Sequence, residues 1–155
     1  MTEPQQPTSP PKPNNPLRPF FFVLLVILGI GAVIAVSKWR APPELVQWRD
    51  NFPQAQADAR AQNKPVLLYL TAEWCGPCQE MRREVFTDPQ VADAISRFIP
   101  VRVDIDREPA LSQKYEAENG IPEFIQFNPD GKIIRRVQHA FDAQQMIAWL
   151  KPSEG

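Results

Sequence analysis

The chain has 155 residues, with 17 Lys or Arg against 18 Asp or Glu, and a formal net charge of −1. That length is enough for one modest core and no more than one domain beside a polar tail. Without a basic excess the chain lacks the electrostatic footprint of a nucleic-acid binder.

Residues 1–19 hold seven prolines, at positions 4, 7, 10, 11, 13, 16 and 19, among Gln, Ser, Thr and Asn. Such a segment cannot bury enough apolar surface to order itself, so it reads as a disordered tail; a proline-rich partner ligand is the alternative. Phe20 to Val36 then runs without a charge, and Ser37-Lys38-Trp39-Arg40 ends the run. At ~1.5 Å per residue it spans roughly 26 Å, slightly short of a hydrocarbon core of ~30 Å. Phe20–Phe22 and Trp39 suit the two membrane interfaces. The reading is a single-pass anchor over residues 20–37. A cleaved signal peptide, cut after small residues at 35–37, is the alternative, and the long proline-rich stretch ahead of the run argues against it. A buried core helix is set aside, because the run is apolar all round.

Lys12 and Arg18 precede the span and Lys38 and Arg40 follow it, so the positive-inside rule does not decide orientation. Residues 1–40 carry a net charge of +3 and the rest −4. Residues 38–44, with Pro42-Pro43, form a short stiff linker. A domain follows over 45–151, and 152–155 are a tail.

Within the domain, Val46-Gln47-Trp48 reads as a short first strand, with Trp48 in the core. Asn51 caps a helix that has Pro53 in its first turn and carries Ala55 and Ala59. Val66-Leu67-Leu68-Tyr69-Leu70 is a short uncharged run, the mark of a buried strand. Trp74-Cys75-Gly76-Pro77-Cys78 follows, with the only two cysteines in the chain. Gln79 to Phe86 then reads as a helix with Met81, Val85 and Phe86 on one side. Asp88 caps the next helix, with Pro89 at its start and Val91, Ile95 and Phe98 on one face. Ile99 to Asp104 alternates as a strand, and Pro109 to Glu118 is a polar helix. Phe124 to Phe127 and Lys132 to Gln138 make a hairpin across Asp130-Gly131. Asp142 caps a last helix carrying Met146, Ile147, Trp149 and Leu150. No internal repeat is present.

The cysteine pair carries the chemistry. Gly76-Pro77 makes the turn into the helix, where proline has no N–H to waste. Cys75 therefore sits where unpaired backbone N–H groups and the positive end of the helix dipole converge, which favours thiolate. This assigns Cys75 as the attacking nucleophile and Cys78 as the resolving thiol. A purely structural bridge over so short a loop would stabilise weakly. A closed zinc site needs about four ligands, and the chain offers two cysteines and His139.

The stretch from Pro65 through Trp74-Cys75-Gly76-Pro77-Cys78 resembles the strand, active-site loop and helix start of the thioredoxin family. Gly120-Ile121-Pro122 is similar to that family's second signature, a cis-proline loop facing the disulfide. Glu84-Val85-Phe86-Thr87-Asp88-Pro89-Gln90-Val91 is closer to one branch, the thioredoxin-like domain of the bacterial transmembrane reductase DsbD and related envelope proteins. The resemblance covers about residues 45–151. It implies an α/β thioredoxin fold, with a mixed four- or five-stranded sheet flanked by helices on both faces. It also implies dithiol–disulfide exchange with other proteins, supported by Trp74, Gly76, Pro77 and Pro122. From the residues alone Pro122 would be a trans turn proline; the resemblance makes it cis. A cis bond would turn the Ile121 backbone outward, so that Ile121 and Pro122 meet an extended client segment.

Three positions depart from the family pattern. Tyr69 stands where a buried Asp relays protons to the deeper thiol, and a phenol with pKa about 10 is a poor base near neutral pH. Proton transfer then falls to water, Glu73, Glu80 or Glu123. Glu123 follows Pro122 where Thr is usual. As a neighbour of the thiolate it would raise the Cys75 pKa; as a solvated loop residue it would do nothing. Thr71 replaces an aromatic and alters the docking surface.

The functional expectation is a membrane-tethered protein-disulfide reductase acting through Cys75 and Cys78. It would face the periplasm or cell exterior, with client disulfides and an upstream thiol donor as partners. The redox-active disulfide is its own cofactor: no flavin or nicotinamide fingerprint and no metal set is present. The alternatives are an oxidase or isomerase, or a non-catalytic binding module.

Overall fold

A computed structural model describes residues 17–39, 42–115, 117 and 120–151, and within the first helix the side chains of 21–34. Residues 1–16 and 152–155, read as tails, lie outside the described residues, as do Arg40 and Ala41 of the expected linker. The chain divides into two units, Met1–Ala41 and Pro42–Gly155.

Among the described residues of the first unit there is one helix, α1 (Leu17–Trp39). It starts ahead of the uncharged run, because Pro19 falls in the first turn, where a missing N–H costs nothing. Residues 21–34 are all exposed. Among the described residues no helix is long and apolar enough to cross a membrane.

The second unit is built on a four-stranded sheet in the order β2-β1-β3-β4. β1 (Val66–Thr71) is buried along its whole length, which explains its unbroken apolar run. It pairs in parallel with β2 (Ile99–Asp104) and antiparallel with β3 (Glu123–Phe127). β3 in turn pairs antiparallel with β4 (Ile133–Val137). The hairpin between them closes through Gly131, at φ 86, and through Asn128, whose side chain accepts from Lys132 N at 2.8 Å. Parallel β1 and β2 require a crossover, supplied by α3 (Gly76–Glu84) and α4 (Pro89–Ser96).

The expected first strand at Val46-Gln47-Trp48 is absent. A single parallel bridge, Arg49 to Val101, stands in its place. Arg49 N donates to Pro100 O and Arg102 N donates to Arg49 O. Continuing that ladder backwards would need an N–H on Pro100, which has none. The sheet therefore stops at four strands. Glu44, just upstream, accepts from Arg82 Nε and Arg102 Nη1, each at 2.8 Å, and Leu45 N donates to Phe86 O.

The helices begin where their caps predict. Asn51 caps α2 (Phe52–Gln62), whose Ala55 and Ala59 are buried. Asp88 caps α4. Asp142 caps α6 (Ala143–Leu150) in a reciprocal box with Gln145. The expected polar helix from Pro109 is shorter: α5 is Pro109–Lys114, and residues 116, 118 and 119 lie outside the described residues.

Strand alternation divides the core in two. Tyr69 and Phe124 share one face, stacked at 4.7 Å, and meet Trp48, Phe86, Phe141 and Trp149 there. Val66, Leu68, Leu70, Glu123, Ile125 and Phe127 share the other, where Phe127 meets Phe52 and Tyr115. The last helix closes the first of these faces. Asp142→Ala, which removes the bond from Gln145 N to the cap side chain and leaves the one donated by the backbone N of residue 142, is expected to lower stability by about 1 kcal/mol, measured by urea denaturation followed through tryptophan fluorescence.

Candidate active site

β1 delivers the chain to the site. Beyond Thr71 the backbone turns, with Cys75 N donating to Ala72 O, and enters α3 at Gly76. Cys75 is the N-cap residue, and Cys78 N donates to its sulfur at 3.2 Å. Pro77 lies in the first turn. Cys75 and Cys78 form a disulfide with a Cα–Cα separation of 5.2 Å. Both are buried, Cys78 fully. Spacing, turn and cap thus combine as the sequence implies: a sulfur at a helix start receives a backbone N–H that would otherwise lack an acceptor.

The neighbours hold this loop still. Gln79 Nε2 donates to Glu73 O across the turn. Trp74 is largely exposed, yet its indole Nε1 donates to Asp106 Oδ2 at 2.8 Å. Glu73 projects into solvent, with an oxygen 3.9 Å from Arg82. Glu80 is exposed too. Beside the turn, Pro77, Met81, Val85 and Phe141 line a groove of about 430 Å³, with Glu80 and Glu84 along it.

Gly120-Ile121-Pro122 lies at the same end of the sheet. Leu70 pairs with Glu123, so the residues just before Glu123 run beside those just after Leu70, where the active-site loop leaves. The Ile121–Pro122 peptide is cis, as the resemblance implies. Ile121 is half-buried and Pro122 buried.

Tyr69 has no contact with water. Burial pushes its phenol up to about 12, opposed by Thr71 and the Arg102 guanidinium. At neutral pH it keeps its proton. Below it, Glu44 raises the Arg82 pKa further above its ordinary value.

Glu123 is not a solvated loop residue. It opens β3, is fully buried, and accepts a hydrogen bond from Arg136 Nε. Its side chain lies on the sheet face that carries Leu70, Ile125 and Phe127, opposite to that of Tyr69. Its charge is answered there by a guanidinium. Arg136, Asp106 and the Glu44–Arg82–Arg102 group were not singled out in the sequence. For Arg136 a signal existed: a strand acid that the hairpin register buries calls for a cation on the facing strand.

The thioredoxin-like family model matches residues 47–129. A thiol:disulfide interchange protein DsbD from Pseudoalteromonas atlantica is 35% identical over 94 residues, covering 59% of this chain and 16% of that protein. The chain thus spans about a sixth of the length of that relative. A thioredoxin from Thermus thermophilus superposes with a TM-score of 0.60 at 25% identity, covering 68% of this chain and 84% of that one. The oxidised DsbD C-terminal domain of Neisseria meningitidis gives 0.53 at 24% identity, covering 66% and 96%, and so shares the fold.

The raised phenol makes a signed prediction. Tyr69 is neutral in both folded and unfolded states below pH ~10, where its contribution is fully present. The unfolded chain ionises first, so stability falls as pH rises from about 10 to about 12, by at most ~3 kcal/mol. Tyr69→Phe is expected to flatten this alkaline loss in urea titrations of the full chain. Parallel wild-type and variant profiles would contradict the burial argument.

Proposed function

The chain belongs to the thioredoxin-like family, and from that premise we propose that it is a membrane-tethered protein-disulfide reductase. One observation carries the reading: the Cys75–Cys78 disulfide sits at the N-cap of α3, with Cys78 N donating to the Cys75 sulfur. When the pair is reduced, that N–H and the helix dipole favour a thiolate at Cys75.

The Cys75 thiolate attacks one sulfur of a client disulfide, forming a mixed disulfide and releasing the first client thiolate. Cys78, deprotonated, attacks the Cys75 sulfur, closes the Cys75–Cys78 bond and releases the second. The dithiol has then lost two electrons and two protons, and the client has gained them. An upstream thiol donor restores the pair. Glu73, Glu80 and solvent are the proton carriers at the loop, since Tyr69 holds its proton and Glu123 is engaged with Arg136. Ile121 and Pro122 supply the edge along which an extended client segment aligns.

The tether is α1, with the uncharged run from Phe20 to Val36 as the membrane segment and the redox domain on the periplasmic or exterior side. The printed name of the DsbD relative, a thiol:disulfide interchange protein, supports disulfide exchange, and the resemblance of residues 84–91 to the DsbD branch supports the reducing direction. Gly-Pro between the cysteines supports the same direction.

The first test is the reduction potential of the full chain. A value near about −270 mV supports a reductase; one near −120 mV makes it an oxidant. Cys75→Ser is expected to abolish insulin reduction, and Cys78→Ser to accumulate mixed disulfides with clients. Activity retained in Cys75→Ser would sink the reading.

A further inference from the structure

Arg136 does more than neutralise a buried acid. Its Nε donates to Glu123, and its Nη2 donates to the backbone oxygen of Tyr115. Tyr115 closes α5 and Glu123 opens β3. One planar guanidinium therefore ties Tyr115 to Glu123, the residue that follows Ile121 and Pro122.

The grip comes from a rigid element. Arg136 lies on β4 opposite Ile125, two residues along β3 from Glu123 and on the same face. Its fork presents donors in fixed, divergent directions, so one side chain can serve two acceptors on different elements. A lysine at this position would supply the charge but not the fork.

We propose that Arg136 is a positioning residue for client docking: by fixing Glu123 against Tyr115 it holds the adjoining Ile121 backbone ready for an extended, disulfide-bearing protein segment. The inference rests on the exchange function proposed above and adds what determines recognition of protein clients. The chemistry at sulfur is left to Cys75 and Cys78. Loss of the grip therefore weakens client binding and leaves the chemical step in place, a change in KM and not in kcat.

The test uses the full chain in detergent, with insulin as the protein disulfide and dithiothreitol as donor. Arg136→Met is expected to raise KM for insulin by roughly ten-fold with kcat within about two-fold. Arg136→Lys keeps a cation beside Glu123. It is expected to keep the wild-type melting temperature, yet to retain most of the KM defect. Should Arg136→Met fold poorly, the Glu123→Gln/Arg136→Met chain removes the buried acid together with its partner, and the same KM change is expected in it. Wild-type KM in an active, folded Arg136→Met chain would overturn the inference. So would full recovery of KM in Arg136→Lys, which would reduce the role to charge neutralisation. A wild-type chain that exchanges no disulfide would instead overturn the exchange function itself.

Discussion

A sulfur at the N-cap of a helix is the constraint around which the rest of the second unit is arranged. The first turn of any helix has backbone N–H groups with no partner in the helix. Here Cys78 N finds its acceptor in Cys75, and the cap is also one sulfur of the Cys75–Cys78 disulfide. For that geometry to persist, the helix must start at a fixed place, with its end toward solvent and its body fixed. β1, buried along its length, fixes the place. Met81, Val85 and Phe86 fix the body in the core. Arg82, on the same helix, is tied to Glu44.

The two faces of the sheet solve different problems. The face with Tyr69 is an aromatic cluster, in which ring contacts between about 4.7 and 6.2 Å fill the space under α3 and α6. A phenol fits there because its ring packs and its proton stays on. A carboxylate in that setting would meet a large desolvation cost. The opposite face does hold a carboxylate, Glu123, and it holds a cation for it. Removing one partner of such a pair leaves a buried charge and typically costs 3–5 kcal/mol. The polar residues of this domain are thus distributed by what each face can satisfy.

Much of this was legible in the residues. Asn51, Asp88 and Asp142 marked helix starts because caps are local chemistry, readable over three or four positions. The run at Val66–Leu70 marked the central strand because burial on both faces removes alternation. The Cys75–Cys78 pair and its turn were readable for the same reason of locality. What was not legible depends on pairing. Val46–Trp48 looks like a strand by composition, and only its placement against Pro100 shows why no ladder forms. Glu123 reads as a loop acid until the hairpin register puts Arg136 on its face. The end of α5 was overestimated because polar residues after Lys114 carry no stop signal of their own.

Pairing also explains why Glu123 and Tyr69 cannot be read as interchangeable members of one proton relay. They are near neighbours in space along adjacent strands: Tyr69 pairs with Phe124 and Leu70 with Glu123. Yet alternation sends their side chains to opposite faces, with the sheet between them. A group that serves the deeper thiol must reach it from the α3 side, where Tyr69 is the polar group in the strand and keeps its proton up to about pH 12. The carboxylate on the other side is bound to a guanidinium that also holds Tyr115. Structural restraint and proton exchange make opposite demands on a carboxylate, since the first wants a permanent partner and the second a free lone pair. On this sheet Glu123 is engaged by Arg136, which supports the proposal that the protons of exchange come from groups at the solvent-facing loop around Cys75.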